Sequence, residues 1–211
     1  MRRLAMVAIT LVVAASAAGA VAAQRAKPRI MAIGGLNFAR LTGRDAGSGI
    51  KTRTGVHGGA LVTVALAPSI AVQSGLFYSQ EGTSGDAGYG ITVAIKIDYL
   101  ELPFYLKVHT TLQGTTPLRP YLLAGPAVGF KVHCRVEASN GSNSAGADCT
   151  DPAVGLDVKG TQFGLHFGGG VEIGRVLLGG RYQLGLSSID NSGANADVKN
   201  SVFAITAGFG F

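Results

Sequence analysis

Apolar and polar positions alternate with period two along most of the chain. In 161–173 the odd positions Phe163, Leu165, Phe167, Val171 and Ile173 are apolar, while Gln162, His166, Gly168, Gly170 and Glu172 are polar or small. The last segment repeats the pattern, with Phe203, Ile205, Ala207, Phe209 and Phe211 opposite Ala204, Thr206, Gly208 and Gly210. Weaker versions run through 30–41, 52–66, 69–81, 119–132 and 176–188. Such alternation predicts β-strands with one face in each of two environments. Two places depart from it. Phe77 stands on the otherwise polar face of 69–81. In 91–109 the apolar odd positions Val93, Ile95, Ile97 and Tyr99 give way to the even positions Leu100, Leu102, Phe104, Leu106 and Val108. That change of parity near Asp98–Leu100 predicts a one-residue β-bulge.

Eight strands result, and their connections alternate in length. Ala67-Pro68 and Gly174-Arg175 are tight turns, and Thr110–Leu118 is moderate. Thr42–Lys51, Gly82–Gly90, the segment 133–159 and Asp190–Val198 are longer. Short turns on one side and longer loops on the other predict an all-β fold, an eight-stranded antiparallel transmembrane β-barrel with both chain ends on the short-turn side.

Composition decides between this barrel and a soluble sandwich. Only 14% of the 211 residues are charged, 47% are hydrophobic and 32 are glycine. A sandwich in water needs a charged outer face. Here the face opposite the apolar one is glycine, alanine and serine with scattered charges, which fits a narrow barrel interior. No stretch after residue 23 is apolar enough for a transmembrane helix. In lipid every backbone donor must be paired, so strands cross only as a closed barrel. Tyr78, Tyr99, Phe104, Tyr105, Phe130, Phe209 and Phe211 are candidates for interfacial aromatic girdles.

Residues 1–23 read as a secretory signal peptide: Arg2 and Arg3, an apolar core from Leu4 to Val13, then small residues ending at Ala23. A short segment, 24–29, leads into the barrel domain at 30–211. Removing Arg2 and Arg3 leaves sixteen basic residues against twelve acidic ones, a surplus of four. No basic cluster follows Arg29, so a nucleic-acid partner is not expected. Cys134 and Cys149 enclose 14 residues. In an oxidising compartment they are expected to form a disulfide. His133, Asp148 and Asp151 flank the pair, but their spacing matches no zinc or calcium loop, so no metal or cofactor is expected.

Strand parity points Arg53, His57, Glu101, Lys107, Arg119, Lys131, His166, Glu172 and Arg181 into the barrel. Charges confined there must be paired, which predicts an internal polar network. Its functional alternative is a gated ion or proton path. No Gly-x-Ser-x-Gly elbow occurs. Both His57 and His166 point away from the lipid face, where a lipid-modifying hydrolase would work, so no catalytic residue is assigned. Gly168-Gly169-Gly170 lies inside a strand with no Walker lysine nearby, which argues against a nucleotide site.

The ending from Phe203 to Phe211 resembles the C-terminal insertion signal of outer-membrane proteins, carried by Phe203, Ile205, Phe209 and Phe211. Tyr99–Lys107, Arg119–Pro126 and Ser74–Gly82 resemble the family of small outer-membrane β-barrels that includes PorT-like and OmpA/OmpX-like proteins. The resemblance covers nearly all of 30–211. It implies a bacterial outer-membrane location, contact with outer-membrane lipid and with barrel-insertion machinery, and possible association with other envelope proteins. The resulting expectation is a non-enzymatic barrel with a structural or surface-interaction role, its outer loops binding a partner. The alternatives are a PorT-like accessory of a secretion or envelope assembly, and a narrow channel or lipid-modifying enzyme.

Overall fold

The computed structural model describes residues 27–47, 49–191 and 196–211. The expected signal peptide, and residues 24–26 after it, lie outside the described residues. Among the described residues ten strands follow in order: β1 (Arg29–Thr42), β2 (Ile50–Lys51), β3 (Arg53–Ala67), β4 (Ile70–Asp86), β5 (Thr92–His109), β6 (Leu118–Ser139), β7 (Ser144–Asp148), β8 (Thr161–Ile173), β9 (Val176–Gly185) and β10 (Lys199–Gly210). Eight of them close a ring, β1-β3-β4-β5-β6-β8-β9-β10 and back to β1, each antiparallel to its neighbours. The closing seam runs from Met31 opposite Gly210 to Thr42 opposite Lys199. β2 adds to the end of β4, and β7 folds back on the end of β6. Closure gives each of the eight ring strands a neighbour on both sides, as a strand that crosses lipid requires.

Side chains follow the alternation. Leu102, Phe104 and Leu106 are 49%, 60% and 54% exposed, whereas Glu101 and Lys107 on either side of them are 1% and 2% exposed. The outer face is therefore an apolar band, and polar groups are held inside.

The walls differ in height. β8, β9 and β10 have 13, 10 and 12 residues, close to the 9–11 that span a bilayer. β4, β5 and β6 have 17, 18 and 22, so they stand well past the band at the end away from the chain termini. Gly82–Gly90 is thus mostly strand rather than loop. The segment 133–159 holds the top of β6, all of β7, and the expected disulfide between Cys134 and Cys149.

The bulge exists, but on the other strand. Asp98 pairs with His133 and Tyr99 with Lys131, which leaves Val132 of β6 as the extra residue. β5 itself does not switch faces: Ile97 and Tyr99, like Glu101, are buried inside. What changes is the surroundings. Towards the outer end the interior is an apolar plug of Leu41, Ala46, Ile97, Tyr99 and Ile189, and the outward side of β5 carries Lys96 and Asp98. Phe77 likewise keeps its parity; it lies inside against Ile33 and Leu61. Tyr99 and Tyr105 are therefore interior residues and not part of a girdle.

Candidate functional site

The barrel interior holds three layers. The apolar plug closes the outer end. Below it lies an amide and carboxylate layer centred on Glu81, a fully buried residue of β4. Gln183 Nε2 donates to Glu81 Oε1 and Gln162 Nε2 to Glu81 Oε2, both at 3.0 Å. Asn200 Nδ2 donates to Gln162 Oε1 at 2.7 Å. Glu81 sits on the polar parity of its strand, so its place was readable, yet it is absent from the charges expected inside. Glu101 lies beside it, with His166 Nε2 at 3.9 Å from Glu101 Oε2. His166 Nδ1 meets the Tyr105 hydroxyl at 2.7 Å, and the Arg181 guanidinium stacks 4.4 Å above the Phe77 ring.

The third layer, towards the chain termini, is ionic. Glu172 takes Lys107 Nζ on one oxygen and Arg29 Nη1, at 2.7 Å, on the other. Lys107 also lies 4.2 Å over the Tyr121 ring. Glycines make room for that ring: a Cβ on Gly170 would come within 2.8 Å of the Tyr121 hydroxyl, and one on Gly179 would overlap it. Here the dense glycines of the inner face have a direct steric reason.

His57 joins Asn37 Oδ1 at 2.8 Å through Nδ1 and Thr206 Oγ1 at 2.9 Å through Nε2. Hydroxyl, imidazole and amide in line have the connectivity of a nucleophile, base and orienting group. All three are buried, and the cavity that Thr206 lines measures about 30 Å³. That is room for one or two waters. The chain of three is a tie across the interior, linking β1, β3 and β10.

Of the nine residues expected in the interior network, His57, Glu101, Lys107, His166, Glu172 and Arg181 are buried inside. Lys131 donates instead to the Val158 carbonyl, strapping the connection before β8 to the wall. Arg53 donates to the backbone carbonyl of Glu81 at the outer end, where Asp98 and Glu137 are its charged neighbours. Arg119 is exposed at the rim. It is the second residue of β6, so its inward parity faces water at the mouth rather than the packed interior. The four C-terminal residues Phe203, Ile205, Phe209 and Phe211 all lie on the outer apolar face.

Outside the bilayer the wall carries charges that pair laterally. Lys96 meets Glu137, and His133 lies 3.7 Å from Asp98 and 3.8 Å from Asp148. Asp151 caps a turn through the Ala153 amide instead. Among the described residues no three His, Cys, Asp or Glu side chains converge as a metal site. A polar pocket of about 460 Å³ opens between the outer connections, walled by Arg44, Lys159, Ser188, Asp197 and Lys199. The hydrogen bond from Lys199, together with Arg44, holds the Asp197 carboxyl below the usual range.

Comparison with known proteins bears on the fold. The family profile described as "Outer membrane protein beta-barrel domain" matches residues 22–191. No curated protein matches. Among solved structures, the chain is similar to Ail, the attachment invasion locus protein of Yersinia pestis, at 14% identity and a TM-score of 0.44, covering 88% of this chain and 99% of that one. It is similar to OprG from Pseudomonas aeruginosa at 13% identity and a TM-score of 0.44, covering 88% and 97%. Neisserial surface protein A gives 12% identity and a TM-score of 0.44, covering 86% and 97%. Likeness at this level carries no inference about activity.

Proposed function

The chain belongs to the outer membrane protein beta-barrel domain family, and from that premise we propose that it is a non-enzymatic surface-interaction barrel whose tall β4–β7 wall engages a partner outside the cell. The observation that carries this reading is the contrast between a filled interior and a strand-paired, disulfide-bonded projection. Side chains pack the interior at three levels, leaving a cavity of about 30 Å³, which argues against a conducting path. The wall beyond the bilayer is ordered by strand pairing and a disulfide, where a passive loop would need neither. Its β4–β5 tip presents Tyr89, fully exposed, beside a turn in which Asp86 accepts from the Gly88 amide. Tyrosines are enriched among the anchor residues of protein interfaces.

The test is photo-crosslinking on intact cells, with the reactive group at 89 or 142 in the outer wall and at 69 or 175 in the opposite turns. Discrete adducts from 89 and 142 are expected, with no step conductance from the purified barrel in planar bilayers. Adducts only from 69 and 175 would favour an accessory role in an envelope assembly. Steady conductance would favour a channel.

A further inference from the structure

The closing seam shows where the apolar band stops on the side of the ring across from β5. On its outward side β1 carries Ile30, Leu36 and Phe38, and β10 carries Phe209, Ile205 and Phe203. Phe38 and Phe203 stand opposite each other, their rings stacked at 6.3 Å. The next outward pair away from the chain termini is Arg40 opposite Ser201, and the one after it is Thr42 opposite Lys199. Cation and hydroxyl thus follow the aromatic pair within one step of the pleat. That order marks the level where lipid headgroups begin.

Arg40 is exposed and differs from the other strand cations of the outer half. Lys51, Lys96, Arg135 and Lys199 each make an ion pair with an acid. Arg53 and Lys131 donate to backbone carbonyls. Among the described residues Arg40 has neither kind of partner. The acids above the seam are engaged elsewhere: Asp197 takes Lys199 at 2.7 Å and Arg44 at 3.8 Å, and Asp45 accepts the Asp197 amide at 2.8 Å. Lys199 is the diagonal neighbour of Arg40 across the seam, close enough for two long side chains to share one ligand. An uncompensated guanidinium held outward at headgroup level, over an aromatic and aliphatic column, suits a phosphate with acyl chains beneath it. Its planar fork takes two phosphate oxygens.

We propose that Arg40 binds the phosphate of an anionic lipid in the leaflet at the outer end of the barrel, with Lys199 at its flank and acyl chains against Phe38, Phe203 and Ile205. Charge selects the headgroup: the apolar column takes any acyl chain, but only an anion compensates Arg40. The proposal rests on the membrane-spanning barrel and is independent of the partner on the β4–β7 wall.

The experiment is native mass spectrometry of the full barrel released from micelles doped with lipid A or with the same lipid stripped of its phosphates. One retained lipid A is expected, preferred about fivefold, the weight of roughly one basic residue at an anionic surface. Arg40→Gln should remove the preference, and Arg40→Lys, which keeps the charge without the fork, should keep part of it. Lys96→Gln, which takes away a cation already paired with Glu137, should leave the preference in place. Phe38→Ala should weaken retention of both lipids alike. Equal retention of the two lipids by the unaltered chain, or equal effects of Arg40→Gln and Lys96→Gln, would overturn the proposal while leaving the barrel in place. A chain that folds and stays dissolved without detergent or lipid would overturn the membrane-spanning reading itself.

Discussion

The two halves of β5 obey one rule in opposite directions. From Leu100 to Val108 the outward side is Leu100, Leu102, Phe104, Leu106 and Val108, and the inward side holds Glu101, Tyr105 and Lys107. From Val93 to Tyr99 the inward side is Ile95, Ile97 and Tyr99, and the outward side carries Lys96 and Asp98. The backbone keeps its facing throughout. Only the surroundings change: below, lipid takes the apolar face and the interior takes the charges; above, the charges pair along the outer wall and the interior becomes an apolar plug. The reversal therefore marks where the bilayer ends.

If that is so, the same kind of substitution should have very different effects in the two halves. The largest difference concerns ion pairs. Glu172→Ala leaves Lys107, 2% exposed, without an acid, and should cost about 3–5 kcal/mol in urea unfolding from lipid vesicles. Lys96→Ala, which breaks a solvent-screened pair on the outer part of the wall, should leave the unfolding midpoint nearly unchanged. Next come outward charges. Phe104→Arg places a charge in the apolar band and should cost about 2–4 kcal/mol by the same assay, whereas Ala94→Arg should be close to neutral.

A smaller effect is expected from the disulfide. Cys134→Ser with Cys149→Ser removes a closure worth up to about 3 kcal/mol in the chain-entropy model, confined to the upper wall. Protease nicking within 140–160 should accelerate while the heat-modifiable gel shift of the barrel stays put. The smallest is a titration in the outer loops. Asp197 is held below its ordinary value of 3.8 by Lys199 and Arg44. Its contact is fully present above the ordinary value and is lost as pH falls through the lowered one. A carboxyl shift titration should place its midpoint under 3.8, moving up in Lys199→Met.

Much of the barrel is legible in alternation alone. β8, β9 and β10 are, because each stays in one medium along nearly its whole length. β5 is not, because its pattern reverses while its backbone does not; a change of solvent and a slip of register leave the same trace in a sequence. The actual bulge, at Val132 in β6, lies opposite that reversal and has no trace of its own. Phe77 looks like an error of pattern because an interior can hold an aromatic ring under a guanidinium as readily as a polar group. Parity places Arg119 inside, but parity says nothing of depth, and at the second residue of a strand inside means the mouth. Which acids and amides meet around Glu81 depends on five strands converging, and no single segment encodes that.

The most direct measurement of the reversal is a depth scan along the outward side of β5. Single labelled cysteines at 94, 96, 98, 100, 102, 104 and 106, in a chain with both native cysteines replaced by serine, would be read for collision with membrane-dissolved oxygen and with a water-soluble nickel reagent. The account predicts water contact at 94 and 96, lipid contact from 102 to 106, and the crossover between 98 and 100. Oxygen contact continuing through 94, or nickel contact at 104, would contradict it.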